Sequence, residues 1–378
     1  MTKKFLIVAP SYYPAMKFGG PPIATRTFRE TLRRAFDVAV LTTDSGMTED
    51  ERRAAEGDAI TIMRTRAGEQ SKGFGFFPGG FGVIYRQLKA ADIIYFRGIW
   101  NYITLLTMLM SVVFFRGKTR IVASTGKIPN IAKVGANQSL KTRVKHTLLT
   151  NPFLRSAQYV QFTSDEELEA STTVLQRFSH LKTVILPTAI PFDIPTVADA
   201  PEDGTTRFLM CSRLNPIKNV EASLELFKRF SDVEPNAALT LVGDFDSENY
   251  RTKIMDIAEA LRAEGKEIVF LGHLDRARVI EELQRHQVFL QMSHSEGLSN
   301  AVLEAQAMGL FSILSAGNNY TPQPGCGLVI PPEAFPSGEH LQAVIHARLK
   351  KAEIAGLAQK RHGMDAVAQT YQQALQGI

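Results

Sequence analysis

Val288-Phe-Leu-Gln291-Met-Ser-His294-Ser-Glu296-Gly-Leu-Ser299-Asn-Ala-Val-Leu-Glu304-Ala-Gln-Ala-Met-Gly309 reads as one strand, one loop and one helix. Residues 288–291 form an apolar run of strand length. Ser299 stands where a helix N-cap is wanted, residues 300–308 read as the helix, and Gly309 follows as its C′ residue. A strand running directly into a helix is half of a crossover connection, and crossovers join parallel strands.

The same alternation extends in both directions. Upstream in the second half, 208–211, 238–242 and 267–271 read as strands, with helical stretches at 220–230 and 250–264; downstream, 311–314 is another strand. The first half repeats the pattern with strands at 5–9, 38–41, 92–96, 120–123 and 159–163, and a helical spacing of Phe28, Leu32 and Phe36. Alternating strands and helices predict an α/β fold with parallel sheets covered by helices. The seam falls near 186–193, followed by a polar, Pro-containing stretch at 194–206 of linker composition. The expectation is two doubly wound, Rossmann-like domains, 1–190 and 191–378, facing across a cleft at their strand ends, where such sheets bind ligands.

Composition agrees. A chain of 378 residues with 44% apolar and 21% charged residues is neither disordered, collagenous nor coiled coil, and no apolar run is long enough to span a bilayer. Cys211 and Cys326 lack metal-site spacing or a disulfide pattern, which suggests a reducing, cytoplasmic setting. The apolar run at 5–9 is too short for a signal-peptide core and reads as a buried strand. The net charge of +5 is unevenly spread: residues 1–190 carry 26 Lys and Arg against 14 Asp and Glu, a net of +12, and the remainder 17 against 24, a net of −7. A basic half attracts nucleic acid, an anionic membrane or a phosphorylated ligand. No nucleic-acid module is present.

Several familiar motifs fail. Gly73-Phe-Gly75-Phe-Phe-Pro78 has Pro where a dinucleotide fingerprint needs its third Gly, and Gly126-Lys127 is followed by Ile128 where a P-loop needs Ser or Thr. There is no HxH or HxxxH pair and no GxSxG, so no metal site and no Ser or Cys hydrolase elbow is expected.

What remains clusters after strands of the second half. Arg213 and Lys218 follow the strand at 208–211 and suit a diphosphate, the guanidinium giving directional hydrogen bonds and the ammonium a compact charge. Glu296 lies on the loop before the helix and Glu304 within it; the first can accept hydrogen bonds from sugar hydroxyls and the second can bind a ribose diol. Backbone N–H groups around Gly297, Leu298 and Ser299, with the positive helix end, favour an anion. Taken singly, charges of this kind are more often solvated surface groups.

Together they are more specific. Glu296 and Glu304 form an E-x7-E pattern, and the segment around them closely resembles the signature of the retaining glycosyltransferases of family 4, the group 1 glycosyltransferases of GT-B fold. Ser212-Arg-Leu-Asn-Pro-Ile-Lys-Asn219 is similar to that family's diphosphate-binding stretch, Leu241-Val-Gly-Asp244 to the strand and loop after it, and Tyr13-Pro-Ala-Met-Lys-Phe-Gly-Gly-Pro21 to its glycine-rich turn. The resemblance runs over most of the chain and is strongest from 208 to 315. It implies that Arg213 and Lys218 neutralise the leaving diphosphate, Glu296 contacts the transferred sugar and Glu304 holds the donor ribose. Backbone at Gly297, Leu298, Ser299 and Gly20 would approach sugar or phosphate. It further implies a UDP- or GDP-linked donor, a saccharide or lipid-linked saccharide acceptor, no metal and no cofactor, and a place in cell-surface polysaccharide or glycolipid synthesis. The last helix, about 364–378, would return to the N-terminal domain. Another GT-B reaction, such as an epimerase or phosphorylase, and a catalytically silent sugar-nucleotide-binding protein are the rival readings. One departure stands out: many relatives carry a histidine after the N-terminal strands, where this chain has Arg97 and Lys127.

The loops expected around the acceptor hold Tyr12, Tyr13, Lys17, Phe18, Arg97, Trp100, Tyr102 and Lys127, which either line that site or pack between sheet and helices. Residues 103–115 read as a buried core helix. Residues 141–155 mix basic and apolar side chains at roughly helical spacing, which suits an anionic membrane surface.

Overall fold

The computed structural model describes residues 2–15, 20–55, 57, 59–66, 75–124, 149–195, 203–331, 340, 343–344 and 350–378. The chain forms two compact units, Met1–Phe192 with Met364–Ile378, and Asp193–Gly363.

The first unit holds a seven-stranded, wholly parallel sheet: β1 (Lys4–Val8), β2 (Asp37–Thr43), β3 (Ile60–Met63), β4 (Ile93–Phe96), β5 (Thr119–Ala123), β6 (Tyr159–Phe162) and β7 (Lys182–Ile185). Their order across the sheet is β3-β2-β1-β4-β5-β6-β7, with Phe5 beside Val38 on one flank and Ile93 on the other. Side chains alternate between the faces. Leu6 and Val8 enter one apolar cluster with Ile94, Phe96 and Phe162, while Phe5 and Ile7 enter another with Phe28, Tyr95 and Tyr371. Burial on both faces explains why these strands read as unbroken apolar runs.

The helices of this unit include α1 (Gly20–Leu32), α2 (Glu49–Ala55), α3 (Phe81–Ala90), α4 (Tyr102–Phe114), α5 (Asn151–Arg155) and α6 (Asp165–Ala170). The α4 segment differs from the expected core helix: Ile103, Thr107, Met108 and Met110 are buried, but Leu109, Val113 and Phe114 face solvent. Of residues 141–155, those at 141–148 lie outside the described residues.

The second unit holds six parallel strands, β8 (Thr206–Cys211), β9 (Ala237–Val242), β10 (Glu267–Gly272), β11 (Val288–Gln291), β12 (Phe311–Leu314) and β13 (Gly327–Val329), in the order β10-β9-β8-β11-β12-β13. Val288 pairs with Phe208 on one side and Phe311 on the other, so β11 is central. Its helices include α7 (Val220–Val233), α8 (Glu248–Ala263), α9 (Arg276–Arg285), α10 (Asn300–Ala307) and α11 (Lys351–His362). The last helix, α12 (Met364–Leu375), belongs to the first unit, where Tyr371 packs on Phe28 and donates to the Pro187 carbonyl oxygen at 2.7 Å.

Both units are Rossmann-like sheets of parallel strands with helices, as the alternation along the sequence predicts. Strands β3, β7 and β13 went unread in the sequence. All three are sheet edges and include half-buried or exposed residues, so they lack the apolar run that marks a strand covered on both faces.

Candidate functional site

In the second unit the chain leaves β8 toward one side of the sheet and later returns to form β11 on the other. The gap between the carboxyl ends of these two strands is the switch point of a doubly wound sheet. Lys218 and Glu296 come from the two loops that leave it.

The loop after β8 is tightly held. Gly243, with φ of +132°, passes so close to it that a Cβ would lie 1.9 Å from the Ser212 carbonyl oxygen, so only glycine fits there. Asn215 accepts from the Lys218 N–H at 3.1 Å and caps a single 3₁₀ turn, Pro216–Lys218. Asn219 then adopts a left-handed conformation with φ of 51°, and its side chain caps α7. These turns aim Lys218 across the switch point. Its Nζ lies 2.7 Å from Glu296 Oε1, and both side chains are largely buried. Arg213 takes a different direction: its side chain is 76% exposed, with Asp246 at 3.8 Å as the nearest carboxylate.

The loop after β11 is fixed from beneath. Gln291, at the end of the strand, donates to Asn318 Oδ1, and Asn318 donates back to the Gln291 carbonyl oxygen at 2.8 Å. The Glu296 N–H donates to the Gly317 carbonyl oxygen at 2.7 Å, Asn319 Nδ2 donates to the Glu296 carbonyl oxygen, and the His294 N–H donates to that of Ile217 at 2.8 Å. The last bond ties the two loops together. Ser299 occupies the N-cap position of α10, but its hydroxyl turns toward Gln291 Oε1 at 3.4 Å and caps nothing. The first-turn N–H groups of a helix have no acceptor within the helix itself, so this end suits an anion. Gly297 and Leu298 form the approach to it, with Leu298 buried. The hydroxyls of Ser293 and Ser295, not singled out in the sequence, are buried in the same loop without a partner among the described residues.

Glu304 lies one turn into α10 and is 6% exposed. Burial raises its carboxyl above the usual range; the Arg276 guanidinium opposes that, and Asp193 adds to it. Arg276, the first residue of α9, holds Glu304 Oε2 with Nη1 at 2.9 Å and grips Asp193 with Nε and Nη2, both at 2.8 Å. Glu304 Oε1 has no hydrogen-bond partner among the described residues. Neither Arg276 nor Asp193 was identified as a site residue from sequence. Cys211, at the end of β8, senses the charges of Glu304, Arg276 and Lys218, which brings these side chains around one strand end. Its thiol is pushed up to about 12, chiefly by burial, and at neutral pH it is no nucleophile.

In the first unit Gly20 opens α1, with Pro21 and Pro22 in the first turn where their missing N–H groups matter least. Tyr12 is buried in the core, Trp100 donates to Thr150 at 2.9 Å, and the Tyr102 ring packs on Phe76 and Phe77. These three aromatic residues pack the unit. Arg97 follows β4, and its guanidinium lies 5.6 Å from the Phe28 ring centre. Lys17, Phe18 and Lys127 lie outside the described residues. Among the described residues no three His, Cys, Asp or Glu side chains are grouped to hold a metal ion.

Residues 197–323, which include every second-unit residue of this site except Asp193, match the family model for glycosyl transferases group 1. No curated protein matches the chain. Among solved structures, HepE from Anabaena, bound to UDP and glucose, superposes with a TM-score of 0.67 at 14% identity over 100% of both chains. Sucrose-phosphate synthase from Thermosynechococcus elongatus gives 0.66 at 17% identity, again over 100% of both. WaaG, a glycosyltransferase involved in lipopolysaccharide biosynthesis, gives 0.61 at 17% identity over 98% of both.

Proposed function

We propose that this chain is a retaining glycosyltransferase that moves a sugar from a UDP- or GDP-linked donor to a saccharide acceptor, free or carried on a lipid, in cell-surface polysaccharide or glycolipid synthesis. The observation that carries the proposal is the convergence of Lys218, Glu296 and Glu304 on one switch point. All three lie within the stretch that matches the group 1 model. The presence of UDP in HepE makes uridine donors the first to test.

In this reading Glu304 accepts hydrogen bonds from the donor ribose through the oxygen that Arg276 leaves open. The Lys218 ammonium, which has three donors, shares itself between Glu296 and the diphosphate. As the bond from the anomeric carbon to the phosphate oxygen breaks, Lys218 and the α10 N-terminus stabilise the negative charge that develops on the diphosphate, joined by Arg213 once it turns in from solvent. The leaving diphosphate takes up the acceptor hydroxyl proton as the new glycosidic bond forms on the same face. Glu296 orients the transferred sugar. The reaction needs no metal or cofactor and takes place in the cytoplasm.

A thermal-shift panel of UDP, GDP and ADP sugars tests the donor. A ligand at a hundred times its Kd stabilises the folded state by about 2.7 kcal/mol, well within detection. We expect a shift with one base, and product analysis showing the donor's anomeric configuration retained. Lys218→Ala and Glu296→Ala should each lower kcat by about 100-fold or more. Full activity in the double variant, or an inverted product, refutes the assignment.

A further inference from the structure

Ten large apolar side chains are exposed among the described residues, and five of them, Phe81, Tyr85, Leu109, Val113 and Phe114, lie on the neighbouring helices α3 and α4. The other five are spread through the second unit. Phe81 and Tyr85 are four residues apart, as are Leu109 and Val113, so each pair lines one stripe of its helix. The Tyr85 ring meets Phe114 at 5.9 Å and Phe115 at 5.0 Å, which joins the two stripes into one surface. Packing does not require this surface. Ile84 and Leu88 of α3, and Ile103, Met108 and Met110 of α4, already fill the core from the opposite faces. A contiguous apolar patch left in water marks a place of interaction.

Its surroundings identify the partner. Residues 81–118 carry five cations, Arg86, Lys89, Arg97, Arg116 and Lys118, against one acid, Asp92. Arg86, Lys89 and Arg116 are exposed, while the Asp92 carboxylate accepts from the Lys4 N–H at 2.9 Å. Across a two-fold axis a second copy would set this excess of positive charge against itself. An anionic lipid surface complements both the charge and the apolar stripes. At 13 residues, α4 is about 20 Å long, short of the roughly 30 Å hydrocarbon core, and no helix among the described residues is long and apolar enough to cross a membrane.

We propose that the α3–α4 face docks this protein on an anionic bilayer, with the apolar stripes in the acyl boundary and Arg86, Lys89 and Arg116 against headgroup phosphates. The surface differs from the 141–155 segment that sequence reading favoured. It is independent of the reaction proposed above, because docking needs neither donor nor acceptor.

Co-sedimentation of the full chain with phosphatidylcholine vesicles, with and without phosphatidylglycerol, tests it. We expect about tenfold more binding to the anionic vesicles, falling as salt rises. Leu109→Gln with Val113→Gln and Phe114→Gln should cut binding about tenfold at an unchanged thermal midpoint, since all three side chains are solvent-facing. Arg86→Glu with Lys89→Glu and Arg116→Glu should abolish the preference for anionic vesicles. Failure of the unmodified chain to sediment with anionic vesicles overturns the proposal, as does undiminished binding by the apolar triple variant. A dimer that the apolar triple variant dissolves, without vesicle binding, also overturns it and assigns the face to a second copy.

Discussion

Arg276 supplies Glu304 with a compensation that water supplies to an exposed carboxylate. Removing it would leave a buried charge uncompensated, at a cost of about 3–5 kcal/mol. Because burial holds the Glu304 carboxyl above the usual range, the folded chain keeps its proton at a pH where the unfolded chain has released it. That contribution to stability is present in acid and declines as pH rises through the folded value. Without the opposing guanidinium the decline becomes larger. The thermal midpoint of Arg276→Gln should therefore drop relative to the parent as pH rises above the carboxyl's ordinary value, and adding Glu304→Gln should remove that dependence. The same single variant should raise the donor KM by about tenfold or more, as loss of an orienting partner does. A flat pH profile counts against the role. The positions of Glu296, Glu304 and Lys218 were legible, because motif spacing on a strand–loop–helix unit is local. Arg276 and Asp193 were not: Arg276 stands 28 residues from Glu304 and 83 residues from Asp193, and a lone Arg or Asp has no distinguishing pattern.

The end of α9 shows how elements are fastened to one another. His286, just past the helix, is 3% exposed, with Nδ1 2.6 Å from the Glu282 carbonyl oxygen and Nε2 3.0 Å from Thr240 Oγ1 on β9. Lys351, from the start of α11, donates to the carbonyl oxygens of Gln284 at 2.9 Å and His286 at 3.0 Å, closing the C-terminus of α9 with a cation. Gly309 passes under the same lysine, and a Cβ there would sit 2.4 Å from the Lys351 carbonyl oxygen. Burial lowers the His286 pKa to about 4, with nearby Arg207, Lys351 and Arg285 adding to the effect. Below the unfolded value the unfolded chain takes up a proton that the folded chain refuses. Stability from this site is therefore present above about pH 6.5 and lost as pH falls toward 4, by about 3 kcal/mol in all. Denaturant titrations across that range should show the loss in the parent chain and a shallower slope in His286→Gln. At this scale the sequence was readable where a strand carries an apolar run, as even the edge strand β10 does, and unreadable at β3, β7 and β13, edges that lack one. The outward stripe of α4 also escaped notice, since an apolar helix reads the same whether one face or both meet protein.

On the scale of the whole molecule, the chain leaves the first unit at Phe192 and re-enters it at Met364. The returning helix brings Tyr371 into the core beside Phe28 and Tyr95. Tyr371→Ala should destabilise that unit by about 3–5 kcal/mol, the usual cost of truncating a buried aromatic residue. Separate melting of the two units in calorimetry would show the loss confined to one transition; an unchanged profile would mean that the last helix adds little. The alternation of apolar runs and helical spacings by itself determined two parallel sheets, and motif spacing put Lys218, Glu296 and Glu304 near strand ends. Both follow from local periodicity, which a chain carries wherever it folds. Tertiary structure alone decided that Lys218 meets Glu296, that Arg276 meets Glu304 and Asp193, that Arg213 stays in solvent, and that α4 keeps an apolar face uncovered. Each of these depends on how much water is excluded when distant segments come together, and burial of that kind leaves no mark on the spacing of residues along the chain.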